Sequence, residues 1–259
     1  MSEQPGNSLS DLFDLTGKVA VVTGGSRGLG REIVRAYARC GATVVIASRN
    51  QAACDELASQ VRGEYGAVAV GVPCHVGHWD ECDRLVDIVY DKFSRIDVLV
   101  SNAGMSPLYP SLPEVTEELY DKVMAVNLKG PFRLGALAGA RMRKAGEGCI
   151  LNISSIAAVR PTSAEIPYAA AKAGLNTLTK GLAVAFGPEV RVNAIMAGPF
   201  LTDVSKAWDA EAFARTAETS IALRRGGRPD EIVGAALYLT TRASSYCTGA
   251  VLTVDGGST

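Results

Sequence analysis

Seven short runs of β-branched and other apolar residues recur along this chain, separated by longer stretches of helical patterning, and this alternation limits the fold more than any other property of the sequence. The runs are Lys18-Val19-Ala20-Val21-Val22-Thr23, Thr43-Val44-Val45-Ile46-Ala47, Val68-Ala69-Val70-Gly71-Val72, Asp97-Val98-Leu99-Val100, Cys149-Ile150-Leu151-Asn152-Ile153, Arg191-Val192-Asn193-Ala194-Ile195 and Ala250-Val251-Leu252-Thr253-Val254. Strands that are apolar almost throughout are buried on both faces, and a parallel neighbour is reached only by a crossover that lays a helix over the sheet. The pattern predicts an α/β fold, a doubly wound, seven-stranded parallel sheet with helices on both faces. No linker rich in Pro, Gly or Ser divides the chain, so residues 15–259 read as one domain behind a flexible leader at 1–14. The least regular stretch, about 198–223, carries a helical piece from Ala207 to Thr219 between a Gly-Pro turn and the Arg224-Arg225-Gly226-Gly227-Arg228 loop, which suits a lid over a site.

Composition narrows the class. A net charge of -1 over 259 residues offers no basic surface for nucleic acid or an anionic membrane, and no run is long and apolar enough to span a bilayer. The first residues lack the basic-then-apolar order of a signal peptide, which leads to an expectation of a cytoplasmic protein. Six cysteines without a Cys-x-x-Cys pair and only two histidines, His75 and His78, favour reduced thiols over disulfides or a zinc site, and no metal is expected.

The turn after the first run, Thr23-Gly24-Gly25-Ser26-Arg27-Gly28-Leu29-Gly30, is Gly-x-x-x-Gly-x-Gly leading into a helix from about Gly28 to Arg39. Glycines at 24, 28 and 30 let the backbone approach a pyrophosphate, and the helix N-terminus supplies free N–H groups and a positive dipole end. At the end of the second run, where an acid would bond a ribose 2′-hydroxyl, stands Ser48-Arg49-Asn50. Arg49, helped by Arg27, could clamp a 2′-phosphate, which predicts NADP(H) over NAD(H). Ser101-Asn102-Ala103-Gly104 gives a small-residue turn after strand four. Asn152-Ile153-Ser154-Ser155 brings hydroxyls to the same sheet edge, where a lone Ser is more often a helix cap than a catalyst.

Thirteen residues after Ser155 comes Tyr168-Ala169-Ala170-Ala171-Lys172. On a helix, residues four apart share a face, so the ammonium would sit beside the phenol and lower a pKa that is ordinarily about 10. Such a pair also arises on solvent-facing helices, and its significance comes from the motifs around it.

Taken together, the chain resembles the short-chain dehydrogenase/reductase superfamily in its compact single-domain branch, over roughly Gly17 to Gly257. The resemblance rests on the turn at 24–30, Ser101 to Gly104, Asn127 in Val126-Asn127-Leu128, Ser155, Tyr168, Lys172, Asn193, Gly198-Pro199 and the terminal Gly249-Ala250-x-x-x-Val254-Asp255-Gly256-Gly257, in family order. It implies a Rossmann-type fold with Tyr168 as general acid or base, Lys172 lowering its pKa and binding ribose, Ser155 orienting the substrate oxygen and Asn127 holding a relay water. Cofactor contacts are implied at Gly24, Ser26, Arg27, Gly28, Leu29, Gly30, Ser48, Arg49, Asn50, His75, Val76, Asn102, Ala103, Gly104, Tyr168, Lys172, Gly198, Pro199 and Thr202. Three positions depart from the family pattern: His75 where an aspartate is usual near adenine, Ala197 in place of a proline, and Ser101 in place of an asparagine. Trp79 and Trp208 read as packing or lid residues, and neither histidine falls in the catalytic set.

The implied activity is hydride transfer between NADP(H) and a carbonyl or secondary alcohol, similar to the 3-oxoacyl thioester reductases. A sugar, sugar-acid or polyol dehydrogenase would share every catalytic residue and differ only near 105–112, 156–166 and 198–215. A non-catalytic NADP(H) sensor is the reading from another class, and the complete catalytic set argues against it. The resemblance also implies a homotetramer that pairs long helices at about Glu117 to Arg143 and Ile166 to Phe186.

Overall fold

Each apolar run forms a strand. In the computed structural model, which describes residues 8–202, 205 and 209–259, these are β1 (Val19–Thr23), β2 (Thr43–Ser48), β3 (Ala69–Pro73), β4 (Val98–Ser101), β5 (Gly148–Ser155), β6 (Val190–Ala197) and β7 (Val251–Val254). They make one seven-stranded sheet, parallel throughout, in the order β3-β2-β1-β4-β5-β6-β7. Strand five runs further than its apolar residues because the ladder continues through Ser154 to Met196 and Ser155 to Ala197. Backbone pairing needs no apolar side chain, and the extension carries Ser155 to the strand's end.

Along each strand, successive side chains enter opposite layers. Ala20 and Val22 of β1, Val44 and Ile46 of β2, and Val98 and Val100 of β4 pack with α2 (Gly28–Arg39), α3 (Gln51–Tyr65) and α9 (Val233–Thr240). Val19 and Val21, Val45 and Ala47, and Leu99 pack on the other side with α4 (Trp79–Phe93), α6 (Gly130–Ala145) and α7 (Ile166–Phe186). Tyr37, Ile33, Leu85, Leu99 and Ile150 are wholly enclosed, and each large apolar side chain so buried contributes roughly 1.5–3 kcal/mol.

The long helix expected from Glu117 to Arg143 is two helices in line. Helix α5 (Glu117–Met124) passes through a π-helical turn at Ala125–Lys129 into α6. Pro131 has no N–H for the carbonyl of Asn127 four residues back, and the Gly130 N–H reaches instead to Ala125, five residues away. The widened turn contains Asn127.

Beyond β6, α8 (Ala210–Ser220) starts behind an Asp209 cap that accepts a bond from the Ala212 N–H at 2.9 Å. Trp208 lies outside the described residues, as do residues 1–7 of the leader. Leu9–Leu12 form a single helical turn, α1. All six cysteines are free, and among the described residues no helix is long and apolar enough to cross a membrane.

Candidate active site

The order of the sheet reverses between β1 and β4, so their outgoing chains diverge and leave a crevice at the strands' C-terminal ends. The glycine turn fills its floor. Gly24 has φ +62°, and a Cβ there would come within 2.9 Å of Ala103 Cα and of Asn102 Nδ2. Asn102 holds the turn from the β4 side: its amide donates to Thr23 O at 2.9 Å and Gly24 O at 3.1 Å. The first residue of α2 follows Arg27, which supplies no side-chain cap, so the N–H groups of that helix end face the crevice without a side-chain acceptor. Bare helix N–H donors beside a turn with no room for side chains fit a dinucleotide pyrophosphate. Thr202, from the segment after β6, comes within 3.5 Å of where a Gly28 Cβ would lie.

The ends of β2 and β3 carry the next group of sequence candidates. Ser26 Oγ donates to Ser48 Oγ at 3.0 Å, and Asn50 caps α3 by accepting from the Ala53 N–H at 3.1 Å. Arg27 and Arg49 are exposed and form no ion pair with the described residues. His75 is half-buried and stacked on His78, ring centroids 4.3 Å apart, while Glu81 accepts from the His75 N–H at 2.7 Å. Burial, then His78 and Arg49, hold the His75 imidazole below its ordinary pKa. Burial thus favours the uncharged form of His75 at the end of β3. Val76 anchors the same loop: a Cβ on Gly130 would collide with its carbonyl oxygen, so α6 begins in direct contact with it.

Strand β5 and helix α7 bring the remaining groups together. Ser155 ends β5, and Tyr168 and Lys172 lie one turn apart on α7, with the ammonium 5.6 Å from the centre of the phenol ring. Lys172 is only 3% exposed and donates to Ile153 O at 2.7 Å. Asn127 is fully buried: its amide donates to Met105 O at 2.8 Å and Val123 O at 2.9 Å, and its Oδ1 accepts from the Met105 N–H at 3.2 Å. A Cβ on Gly104 would lie 3.0 Å from Asn127 Oδ1 and 3.7 Å from Lys172 Nζ, so that bare turn touches both. Gly198 donates to Val254 O at 2.9 Å and Pro199 O accepts from the Gly227 N–H at 3.0 Å, which fixes the start of the segment that follows β6.

The electrostatics differ from the expectation drawn from helical spacing. Burial raises Tyr168 to about 12, the Ser155 hydroxyl pulls it back, and Glu165 adds to the rise. Burial alone lowers Lys172 to about 8. With its ammonium engaged on Ile153 and itself desolvated, the lysine does not overcome the burial of the phenol. The arrangement is a protonated phenol beside a hydroxyl, able to give a proton to a developing alkoxide.

The shift of Lys172 has a measurable consequence. The unfolded chain keeps this proton to about the ordinary 10.5 and the folded chain releases it near 8, so the unfolded state binds more protons between those values and stability rises with pH there. Tyr168 has the opposite sign, since its folded value lies above the ordinary 10.0, and it lowers stability between about pH 10 and 12. Lys172→Met should remove a rise of about 2–3 kcal/mol between pH 8 and 10, read as the difference between the urea midpoints of the two cofactor-free proteins. Parallel pH curves for the two would refute it.

Other sequence candidates lie elsewhere. Trp79 is 42% exposed, with the Arg133 guanidinium 4.6 Å above its ring and Phe132 6.1 Å away, so it packs on the surface of α4 and α6. Sequence reasoning missed Tyr109, Glu165 and the two hydrogen bonds from the Asn102 amide to Thr23 O and Gly24 O, none of which has a local motif.

A parallel sheet with a glycine cradle at its switch point and a Ser, Tyr and Lys set beside it defines a dinucleotide-dependent oxidoreductase. The family described as enoyl-(acyl carrier protein) reductase matches residues 24–259. Dehydrogenase/reductase SDR family member 4 of Homo sapiens is 36% identical over 246 residues, covering 94% of this chain and 88% of the relative. D-threitol dehydrogenase of Mycolicibacterium smegmatis is 37% identical over 252 residues, covering 95% of each. The crystal structure of the NADPH-dependent 3-quinuclidinone reductase of Rhodotorula rubra superposes with a TM-score of 0.92 at 28% identity, over 99% of this chain and 97% of that one. The chain belongs to the short-chain dehydrogenase/reductase superfamily, and it is a hydride-transfer oxidoreductase acting on a carbonyl or alcohol.

Proposed function

We propose that the protein is an NADP(H)-dependent reductase or dehydrogenase in which Tyr168 exchanges the proton, Ser155 orients the substrate oxygen, and Lys172 and Asn127 complete the site. The observation that carries this reading is the juxtaposition of Tyr168, Ser155 and Lys172 at the end of β5, facing the bare turn at Gly104. The nicotinamide cofactor, when bound, supplies or accepts the hydride. Gly24, Gly28, Leu29 and Gly30 would hold its pyrophosphate, Ser26, Arg27, Ser48, Arg49 and Asn50 its adenosine ribose, His75 and Val76 its adenine, and Asn102, Ala103, Gly104, Pro199 and Thr202 its nicotinamide half. In reduction the Tyr168 hydroxyl gives its proton to the oxygen that Ser155 also holds, and in oxidation the tyrosinate takes it back. Lys172, released from Ile153, would then bond the ribose and bring its charge to bear on the phenol.

Nicotinamide absorbance during turnover tests the activity, with NADPH and NADH compared against 3-oxoacyl thioesters, keto-sugars, keto-sugar acids and simple ketones. Tight cofactor binding with no turnover of any of them would favour a sensor. A sugar, sugar-acid or polyol substrate is the alternative to a 3-oxoacyl thioester, supported by the likeness to D-threitol dehydrogenase.

Cofactor choice is tested at Arg49. A guanidinium on a phosphate is worth about 1.5–3 kcal/mol, so Arg49→Glu should reduce kcat/KM for NADPH by about 10- to 100-fold and leave that for NADH unchanged or improved. Equal losses with both cofactors would remove Arg49 from this role. We further propose a lid over residues 198–223, a cytoplasmic setting and a homotetramer, the last tested by sedimentation, where a monomer would refute it.

A further inference from the structure

The loop after β3 carries a hydrogen-bond donor that the protein itself leaves unused. The Cys74 N–H donates to Ser48 O at 3.0 Å, and Ser48 Oγ takes the Ser26 hydroxyl at 3.0 Å. His75, the next residue, therefore stands at the same sheet edge as the glycine turn and Arg49, whose charge acts on its imidazole.

The ring is held in one tautomer by its neighbours. The Gly77 N–H donates to His75 Nδ1 at 3.1 Å, and a Cβ on Gly77 would meet Cε1 at 2.9 Å, so this edge of the imidazole lies against the loop backbone. A proton on Nδ1 would set two N–H groups against each other, and the neutral ring carries its proton on Nε2. His78 covers one face of the ring, its plane tilted by 15° and its centroid 4.3 Å away. Glu81 secures both residues, taking the His75 backbone N–H at 2.7 Å and lying 2.8 Å from His78 Nδ1. The imidazole is left with one fixed donor, Nε2–H, that meets no acceptor among the described residues.

A half-buried donor is matched by an acceptor and opposed by a second donor. Purines differ in this respect at the 6-position: adenine shows an amino donor beside the N7 acceptor, and a 6-oxo purine shows two acceptors, O6 and N7. A side chain that can only donate suits the 6-oxo edge, as a carboxylate suits the 6-amino edge.

We propose that His75 is a specificity-determining residue that donates through Nε2–H to the purine of the bound dinucleotide, so that a 6-oxo purine is accepted at least as well as adenine. This role rests on the reading of the crevice as a dinucleotide site with the purine against His75 and Val76.

Equilibrium binding tests it without turnover. NADP+ is compared with nicotinamide hypoxanthine dinucleotide phosphate, and NAD+ with its hypoxanthine counterpart repeats the comparison without the 2′-phosphate; calorimetry gives the four dissociation constants. In the native protein the hypoxanthine form should bind as tightly as the adenine form, within about threefold, or more tightly. His75→Asp offers acceptors and no donor, and should shift the ratio by about tenfold or more toward adenine. His75→Asn offers one of each and should bind the two forms within about threefold. Each ratio is internal to one protein, so a variant that merely loosens the loop weakens both ligands and leaves their ratio alone. A native preference for adenine beyond about threefold, or a ratio that His75→Asp leaves within about threefold of the native one, overturns the role of His75 with the dinucleotide reading intact. Failure of all four dinucleotides to bind overturns both.

Discussion

Tyr168→Phe should abolish turnover while the protein still folds and binds its cofactor. Phenylalanine fills the same space in the wall between Pro167 and Ser155 and removes only the hydroxyl, so the packing of α7 on the sheet is untouched. In the proposed mechanism, what is lost is the proton that must reach the substrate oxygen as hydride arrives at its carbon. A positioned general acid is worth about 10²- to 10⁴-fold in rate, and no other described side chain is placed to substitute. Lys172 Nζ is turned to Ile153 O at 2.7 Å, and Asn127 is engaged with Met105 and Val123. Nicotinamide absorbance with any accepted ketone would read the rate, and quenching of protein fluorescence the cofactor. Turnover retained within about tenfold would discard the mechanism.

Gly30→Val is expected to be the most damaging change at the cofactor cradle. A Cβ at this position would overlap the Gly24 carbonyl oxygen and lie 2.5 Å from Asn102 Nδ2. Both partners are fixed, the first by a turn with φ +62° and the second by its two bonds to Thr23 and Gly24. The clash can be relieved only by lifting the start of α2 away from β1, which moves the helix N–H groups out of line. Overpacking of this kind costs about 1–3 kcal/mol of stability, and we expect at least about a hundredfold loss in cofactor affinity for the lost phosphate contacts. Gly63 is the control. It lies in α3 with open space around its Cβ position, so Gly63→Ala should leave cofactor binding unchanged and stabilise the helix by about 0.5–1 kcal/mol. Equal cofactor affinity in native protein and Gly30→Val would refute the role of the turn.

The sheet was readable because its signal is local and repeated. Each strand announces itself in a run of four to six residues, most of them apolar, and the strand-to-helix turn at Gly24 to Gly30 carries its chemistry in its spacing. Asn102, Ser155, Tyr168 and Lys172 were readable as an ordered set, and the structure brings them to one edge of the sheet. The π-helical turn was hidden because helical periodicity runs through Ala125–Lys129 almost undisturbed, with Pro131 its only trace. The bond of Tyr109 to Ser163 joins residues 54 positions apart and has no local signature. The phenol's pKa was misjudged for a related reason: a spacing of four residues predicts an approach, whereas burial, a property of the whole fold, decides which charge state survives.

The alternation of β1 between two layers sets the terms on which this chain can change length. Deleting one residue from Val19–Thr23 would send every following side chain of that strand to the wrong face, exchanging Val21 and Val22 between cores that are both full. Deleting a residue from the loops at 105–112 or 156–166 turns no strand side chain to the other layer, because those loops begin where the strands have already ended. Divergence by insertion and deletion is thereby channelled to one rim of the molecule, beyond the strands that build both layers.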